Sequence, residues 1–281
     1  MTRISLLLLA TLICSAAKAS GPGDSILYVG HRGASHLAPE NTLASITLAW
    51  ELGADAAECD VMLSADYQVL VFHDRNTRKL TGADHVVSET PWETLRQLTI
   101  QPTENHLPEY RAEPIPLLKD VLPELPPGRM LVIEIKTGTE ILPYLKEVLD
   151  ASWNSGRISF IAFDFEIIAA LKKLYPEIPC YFLAMFRRDV NRHFTAAVEA
   201  GLDGLDLRYG IIDRKLAGRC REVGLDLWCW TVNDPETALE MRSLGVSAIT
   251  TDRPAWLREQ IVADSARFFL SLPFESVKPK R

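Results

Sequence analysis

Eight short apolar runs, each followed by an amphipathic stretch, constrain the fold more than any other feature of this chain. The runs are Ile26–Gly30, Ala56–Asp60, Met130–Lys136, Ile158–Asp164, Cys180–Phe186, Gly204–Arg208, Asp226–Val232 and Ser247–Thr251. They read as strands buried on both faces. Helical stretches follow at Thr42–Leu52, Leu117–Leu125, Glu140–Trp153, Phe165–Tyr175, Asn191–Ala200, Arg214–Val223, Pro235–Leu244 and Ala255–Phe268. Their apolar residues recur at three-to-four spacing, as Leu43, Ile46 and Trp50 do in the first. Gly53, Gly201, Gly224 and Gly245 stand just past helix ends, where a left-handed residue is wanted. Asp234-Pro235 has the cap and first-turn proline of a helix start. Eight such units predict an α/β fold, a (β/α)8 TIM barrel.

The segment from Asp60 to Leu117 is far longer than an ordinary strand-to-helix loop. It opens with a further strand pattern, Gln68–Phe72, reached through the turn-like Ser64-Ala65-Asp66. An antiparallel hairpin there would return His73 to the vicinity of Glu58. Residues 75–114 are polar and proline-bearing and read as a small insertion after the second strand. The predicted barrel domain spans residues 20–269, with a tail at 270–281.

The first nineteen residues read as a signal peptide: Arg3, an apolar core Ile4–Ile13, and Ala17-Lys18-Ala19 as a small-x-small cleavage site. The core falls short of the about 20 residues a membrane span needs, and Ile13 fits poorly before a lipoprotein cysteine at Cys14. Export to the periplasm or medium, with cleavage after Ala19 and no stable span afterwards, is the expectation. An exported protein could pair its thiols. Cys59, Cys180, Cys220 and Cys229 match no zinc spacing and lie in apolar or helical patterns, so buried free thiols are expected, with a Cys220–Cys229 bridge as the alternative. A net charge of -7 argues against a nucleic-acid surface. It leaves room for a small phosphate-bearing substrate held by local cations.

Barrel active sites lie at the carboxyl ends of the strands. Here those ends carry His31-Arg32, Glu58 with Asp60, Glu134 with Lys136, then Asp164, Asp206-Arg208, Trp230 with Asn233, and Thr251-Asp252. Glu58 and Asp60 alternate onto one strand face, as do Glu134 and Lys136. Three converging carboxylates repel one another unless a positive charge lies between them, and one hard divalent cation, Mg²⁺ or Ca²⁺, suits an oxygen ligand set. The competing reading is an ionic rim in which Arg32 and Lys136 only neutralise the acids. His31 and His73 would flank the cation and can divide acid and base roles. Arg32 and Lys136 suit an anionic phosphoryl group, Arg32 as the better fork.

The segments HRGASHLAPENTLASITLAWELGADAAECDVMLSADYQVLVFHD, IPLLKDVL, VIEIK, WTVN and ITTDRP, in this order from Val29 to about Pro254, resemble the glycerophosphodiester phosphodiesterase family. The resemblance implies a metal-dependent barrel that hydrolyses small glycerophosphodiesters to an alcohol and glycerol 3-phosphate. By position it implies Glu58, Asp60 and Glu134 as metal ligands, and His31 and His73 as the acid/base pair. Arg32 and Lys136 would contact phosphate, and Trp230 would shape the pocket. The chain departs from the pattern in Ala162-Phe163-Asp164 for Ser-Phe-Asp, in Asp66-Tyr67 for the hairpin Asp-Gly, and in the order of residues 75–82. None of these removes a catalytic group. Two alternatives are a lipid phosphodiesterase of phospholipase D-like type, which would need an exposed apolar lip, and a non-catalytic exported phosphodiester-binding protein.

Overall fold

The computed structural model describes residues 26–271. In chain order the strands are β1 (Leu27–Gly30), β2 (Ala56–Leu63), β3 (Val69–Val71), β4 (Thr99–Ile100), β5 (Glu113–Pro114), β6 (Met130–Ile135), β7 (Arg157–Ala162), β8 (Cys180–Ala184), β9 (Gly204–Arg208), β10 (Asp226–Trp230) and β11 (Ala248–Thr251). The helices are α1 (Leu43–Glu51), α2 (Arg78–Thr81), α3 (Trp92–Leu95), α4 (Leu118–Val121), α5 (Leu142–Ser152), α6 (Phe165–Leu174), α7 (Arg187–Glu199), α8 (Arg214–Val223), α9 (Pro235–Ser243) and α10 (Pro254–Ser271). β1, β2, β6, β7, β8, β9, β10 and β11 pair in parallel and close on one another through β1–β2 and β1–β11, forming an eight-stranded barrel. The sequence-predicted fold class is the observed one.

Alternation along each strand divides the barrel's two surfaces. Outward residues such as Cys59, Ile133, Phe160, Leu205 and Leu207 join the apolar shell between strands and helices. Inward residues stack in layers of four taken from alternate strands. The registers put Val29, Val132, Tyr181 and Trp228 in a floor layer, with the Tyr181 and Trp228 rings stacked at 3.9 Å. Gly204 admits that stack, since a Cβ there would lie 2.7 Å from the Tyr181 ring. Above the floor come Glu58, Ile161, Asp206 and Thr250, then His31, Glu134, Leu183 and Trp230.

The local signals explain the helix boundaries. Asp234 caps α9 by accepting from the Thr237 N–H, with Pro235 in the first turn. Gly53, Gly201, Gly224 and Gly245 all take positive φ after their helices. The predicted helix over 117–125 is a single α turn followed by a 3-10 turn, because Pro123 cannot donate inside an α-helix. β2 runs three residues beyond its predicted end because it pairs antiparallel with β3, Val61 opposite Val71 and Leu63 opposite Val69. The inserted segment is less polar in its packing than in its composition. Val87, Leu95, Ile100 and Ile115 bury against Met62, Leu70 and Phe72 on the hairpin's outer face, forming a second small core. Cys59, Cys180, Cys220 and Cys229 are buried and free, and no Cys220–Cys229 bridge forms. No helix among the described residues is long and apolar enough to cross a membrane. The signal-like residues 1–19 lie outside the described residues, as do residues 272–281 of the predicted 270–281 tail, whose first two residues end α10.

Candidate active site

The turn after β1 fixes the first two functional side chains. Arg32 and Gly33 both take positive φ, 54° and 84°. A Cβ on Gly33 would lie 2.4 Å from the Ser45 backbone, so only glycine lets this turn sit against α1. Gly30 has ordinary φ but lies against the Gly33 carbonyl, which a Cβ would approach to 2.7 Å. The turn is pinned to its neighbours: His31 N–H donates to the Thr251 carbonyl (2.9 Å) and Gly33 N–H to that of Glu58 (3.0 Å). Arg32 N–H donates to Glu58 Oε2 (2.8 Å), while its guanidinium donates to Glu40 Oε1 (2.6 Å) and lies 3.4 Å from Asp60 Oδ2. Three carboxylates therefore hold one arginine and raise its already high pKa against the cost of burial.

Glu58 and Asp60 on β2 and Glu134 on β6 bring a carboxylate oxygen each to within 4.8 Å of one another. Glu58 is 2% and Asp60 1% exposed. Asn41 clamps Asp60 from the side, donating through Nδ2 to Oδ2 (2.8 Å) and accepting the Asp60 N–H at Oδ1 (3.0 Å). Lys136 Nζ lies 2.7 Å from Glu134 Oε1 and 3.6 Å from Asp60 Oδ1. Burial, then the charges of Asp60 and Glu134, pushes the Glu58 carboxyl well up. Burial and Asp60 push Glu134 up to about 8 against the pull of Lys136. Asp60 goes the other way: burial would raise it, but Arg32 and Lys136 outweigh that and hold it low. The cluster is thus short of positive charge, and Glu58 Oε1 is buried with no hydrogen-bond partner. An all-oxygen donor set with an unanswered oxygen fits a hard divalent cation.

Both histidines are oriented by carboxylates. His31 Nδ1 lies 2.7 Å from Asp252 Oδ1, and Asp252 also accepts from Asn233 Nδ2 (2.5 Å) and Ser35 Oγ (3.3 Å). Burial would raise Asp252, but the His31 hydrogen bond and charge take it down to about 2. His73 Nδ1 lies 2.6 Å from Asp74 Oδ1. Burial lowers its pKa, with Asp60 pulling the other way. In each ring a carboxylate at Nδ1 leaves Nε2 free for the cavity. The hairpin returns His73 as expected, through a Phe72 N–H to Asp60 carbonyl bond (3.0 Å), and His73 and Glu58 line the same cavity.

These groups share a cavity of about 270 Å³ at the carboxyl end of the barrel. His31, Arg32, Glu58, His73, Glu134 and Lys136 form one wall, and Ile161, Phe163, Leu183, Met185 and Trp230 most of the other. Asp60 completes the cluster beside it. Trp230 donates through Nε1 to the Asp206 carbonyl (3.2 Å) and meets Phe163 edge-on, so it presents ring surface to the cavity. A larger surface groove of about 350 Å³, between the hairpin turn and α5, contains none of these residues.

The model of the glycerophosphoryl diester phosphodiesterase family matches residues 31–256. The chain belongs to that family. It is 30% identical to the Bacillus subtilis protein YhdW over 239 residues, which is 82% of this chain and 95% of that one. It is also 30% identical to a glycerophosphodiester phosphodiesterase of Caldanaerobacter subterraneus over 236 residues, 82% of this chain and 96% of the relative. An Oleispira antarctica phosphodiesterase solved in complex with the product sn-glycerol-3-phosphate superposes with a TM-score of 0.74 at 27% identity, covering 84% of this chain and 96% of that one. The chain is accordingly an enzyme of the glycerophosphodiester phosphodiesterase class.

The eight residues singled out from the sequence lie together at this cavity or beside it, but the sequence reading assigns no role to those that hold them: Asn41, Asp74, Asn233 and Asp252. Asp74 and Asp252 stand in the HD and TDRP motifs, so a signal was present. Asp74 is next to its partner His73, whereas the partner of Asp252 was not visible, because His31 is 221 residues away.

Proposed function

We propose that this enzyme hydrolyses small glycerophosphodiesters to an alcohol and sn-glycerol 3-phosphate. In this reading His31 and His73 are acid and base, and one divalent cation, Mg²⁺ or Ca²⁺, is held by Glu58, Asp60 and Glu134. The observation that carries it is the pair of aspartate-oriented histidines on the cavity wall beside the clustered carboxylates of Glu58, Asp60 and Glu134. When bound, the cation supplies Lewis-acid polarisation of the phosphoryl group. Arg32 and Lys136 offset the charge that grows on the phosphoryl oxygens as phosphorus becomes five-coordinate. One histidine takes the proton of the attacking oxygen at Nε2. The other gives a proton to the departing alkoxide as its bond to phosphorus breaks. The attacking oxygen belongs to water or to the substrate's own neighbouring hydroxyl, which would pass through a cyclic phosphate. Asp252 and Asp74 keep each ring in the tautomer these transfers need.

The test is turnover of a head-group panel by metal-supplemented enzyme, with products identified by phosphorus NMR. His31→Ala and His73→Ala should each lose about 10²–10⁴-fold in rate. Wild-type turnover by either variant removes that histidine from the chemistry, and full activity after thorough chelation removes the metal.

An apolar lip supports a second substrate class. Phe163 is 42%, Met185 39% and Phe186 47% exposed, and the first two line the cavity mouth. Such a surface suits a diester whose alcohol carries an acyl chain. Side-by-side assays on deacylated and monoacylated glycerophosphocholine decide between the classes. The signal-like residues 1–19 support export of the mature enzyme, which amino-terminal sequencing of the secreted protein, with Ser20 expected first, would check.

A further inference from the structure

The wall facing the carboxylate cluster is largely apolar, with Thr231 and Thr250 at its edge and a single carboxyl among its inward groups. Asp206, on β9, is 1% exposed and lines the cavity, and its buried Oδ1 has no hydrogen-bond partner. Trp230 bonds the Asp206 backbone carbonyl and leaves the carboxyl unanswered. β9 stands four strands round the barrel from β2, and the registers put Asp206 in the layer of Glu58, so the two carboxyls face each other across the lumen. Directly below, the stacked Tyr181 and Trp228 rings close the floor. A buried polar group without a partner weakens a fold, so Asp206 is explained by something that enters the cavity rather than by the protein around it.

We propose that Asp206 hydrogen-bonds the terminal hydroxyl of the substrate's glycerol moiety, and so makes the site prefer a glycerol ester of phosphate over one that lacks this hydroxyl. This rests on the glycerophosphodiester reading above and adds the residue that recognises the glycerol. A hydroxyl both donates and accepts, which matches a lone carboxyl in a dry wall. The position is deep, one layer below His31 and Glu134, with the floor immediately beneath. A short polyol arm reaches it from a phosphate held by Arg32 and Lys136. The alcohol on the other side of the phosphorus faces the open mouth at Phe163 and Met185.

The experiment compares glycerophosphocholine with 2-hydroxypropylphosphocholine, which lacks the terminal glycerol hydroxyl but keeps the one neighbouring the phosphate ester, in wild-type, Asp206→Leu and Asp206→Asn enzymes. Asp206→Leu should lower kcat/KM for glycerophosphocholine by about tenfold to a hundredfold while changing 2-hydroxypropylphosphocholine less than about threefold. Asp206→Asn, which still hydrogen-bonds a hydroxyl, should recover most of the loss. Calorimetric titration of metal-loaded protein gives a readout apart from turnover. Asp206→Leu should weaken sn-glycerol 3-phosphate at least about tenfold and leave inorganic phosphate nearly unchanged. Its Tm should equal or exceed that of wild type, because an unpaired buried carboxyl has been removed. If Leu does not fold there, Asp206→Ala carries the same expectation. Equal losses on both esters, or unchanged product affinity, would overturn the assignment. A loss that tracks the choline rather than the glycerol overturns it as well. Wild-type enzyme that turns over neither ester brings down the parent reading and this one together, whereas wild-type turnover with Asp206→Leu unaffected overturns this one alone.

Discussion

Asn41 offers the sharpest test of how the cluster is held. It is fully buried at a φ of 57°, and its side chain makes both of its bonds to Asp60. Asn41→Gly keeps the left-handed backbone open and deletes only the side chain. The bond to the Asp60 carboxylate is charge-assisted and is worth about 1.5–3 kcal/mol. The Asp60 N–H then loses its buried acceptor, which costs about 1–3 kcal/mol more. The total is about 2.5–6 kcal/mol, and at about 2–4 °C per kcal/mol the Tm of chelated protein should fall by roughly 5–25 °C. Asn41→Ala should fall further, because a Cβ at positive φ adds about 1–2 kcal/mol.

The same substitution should reach the cation. Asp60 would lose the group that fixes its Oδ2, and second partners of this kind typically change metal affinity by about 10–100-fold. Thermal unfolding in chelator gives the stability term, and calorimetric titration with Mg²⁺ and with Ca²⁺ gives the affinity term. Asn41→Gly protein with wild-type Tm and wild-type affinity would refute the idea that Asn41 is what positions Asp60.

Three further outcomes follow from the same geometry. Glu134 rises in the folded state from 4.5 to about 8, so its contribution is fully present below the unfolded value and is lost as pH climbs through the folded one. Cation-free protein should therefore lose stability between about pH 5 and 8. The Tm gained on adding Mg²⁺ or Ca²⁺ should be larger at pH 8 than at pH 6; equal gains would contradict it. Asp252 falls from 3.8 to about 2, so its contribution is present above the unfolded value and lost as pH drops toward 2. Discounted for its partial exposure, that contribution is about 1–2 kcal/mol. Asp252→Asn should remove this acid-limb dependence and lower kcat at least about tenfold by releasing His31. Tyr67 fills the expected hairpin glycine position at a φ of 63°, while its ring stacks on Tyr144 at 4.8 Å. Tyr67→Gly should leave stability within about 1 kcal/mol, since relieved strain offsets the lost stack, whereas Tyr67→Ala should cost about that much. A Gly variant no more stable than Ala would show that φ is not strained there.

The barrel was legible because burial on both faces leaves a continuous apolar run, and helix caps and glycine stops punctuate it. Strand ends were read one to two residues long at Lys136, Asp164 and Phe186, where apolar or alternating residues continue past the last ladder bond. The inserted core was not legible. Val87, Leu95, Ile100 and Ile115 are scattered through polar and proline-bearing sequence without a sustained strand or helix period; only the hairpin's outer face collects them. The site's acids stood out because charge inside a buried strand contradicts its pattern. The roles of their holders did not, because Asn41, Asn233 and Asp252 stand in motifs or at strand ends whose partners are known only once the chain closes.

That asymmetry has a physical root in the barrel's two faces. The outward side chains of the site strands, Cys59, Ile133, Leu205 and Leu207, are fully buried in the apolar shell. The inward ones include the unpartnered Glu58 Oε1, Ser159 Oγ and Asp206 Oδ1. Such groups weaken a fold when left alone, so the shell must hold the strands well enough to tolerate them. The lumen is thereby released from packing and can hold groups selected for what they bind. Alternation with period two lets one strand serve both ends: Glu58 and Asp60 face the cavity because Cys59 between them faces α1 and its neighbours. A one-residue slip of β2 would put both acids in the shell and a thiol in the site. The register pairing Asp60 with Glu134 on one side, and Val61 with Val71 on the other, therefore fixes the chemistry as firmly as the identity of the residues does.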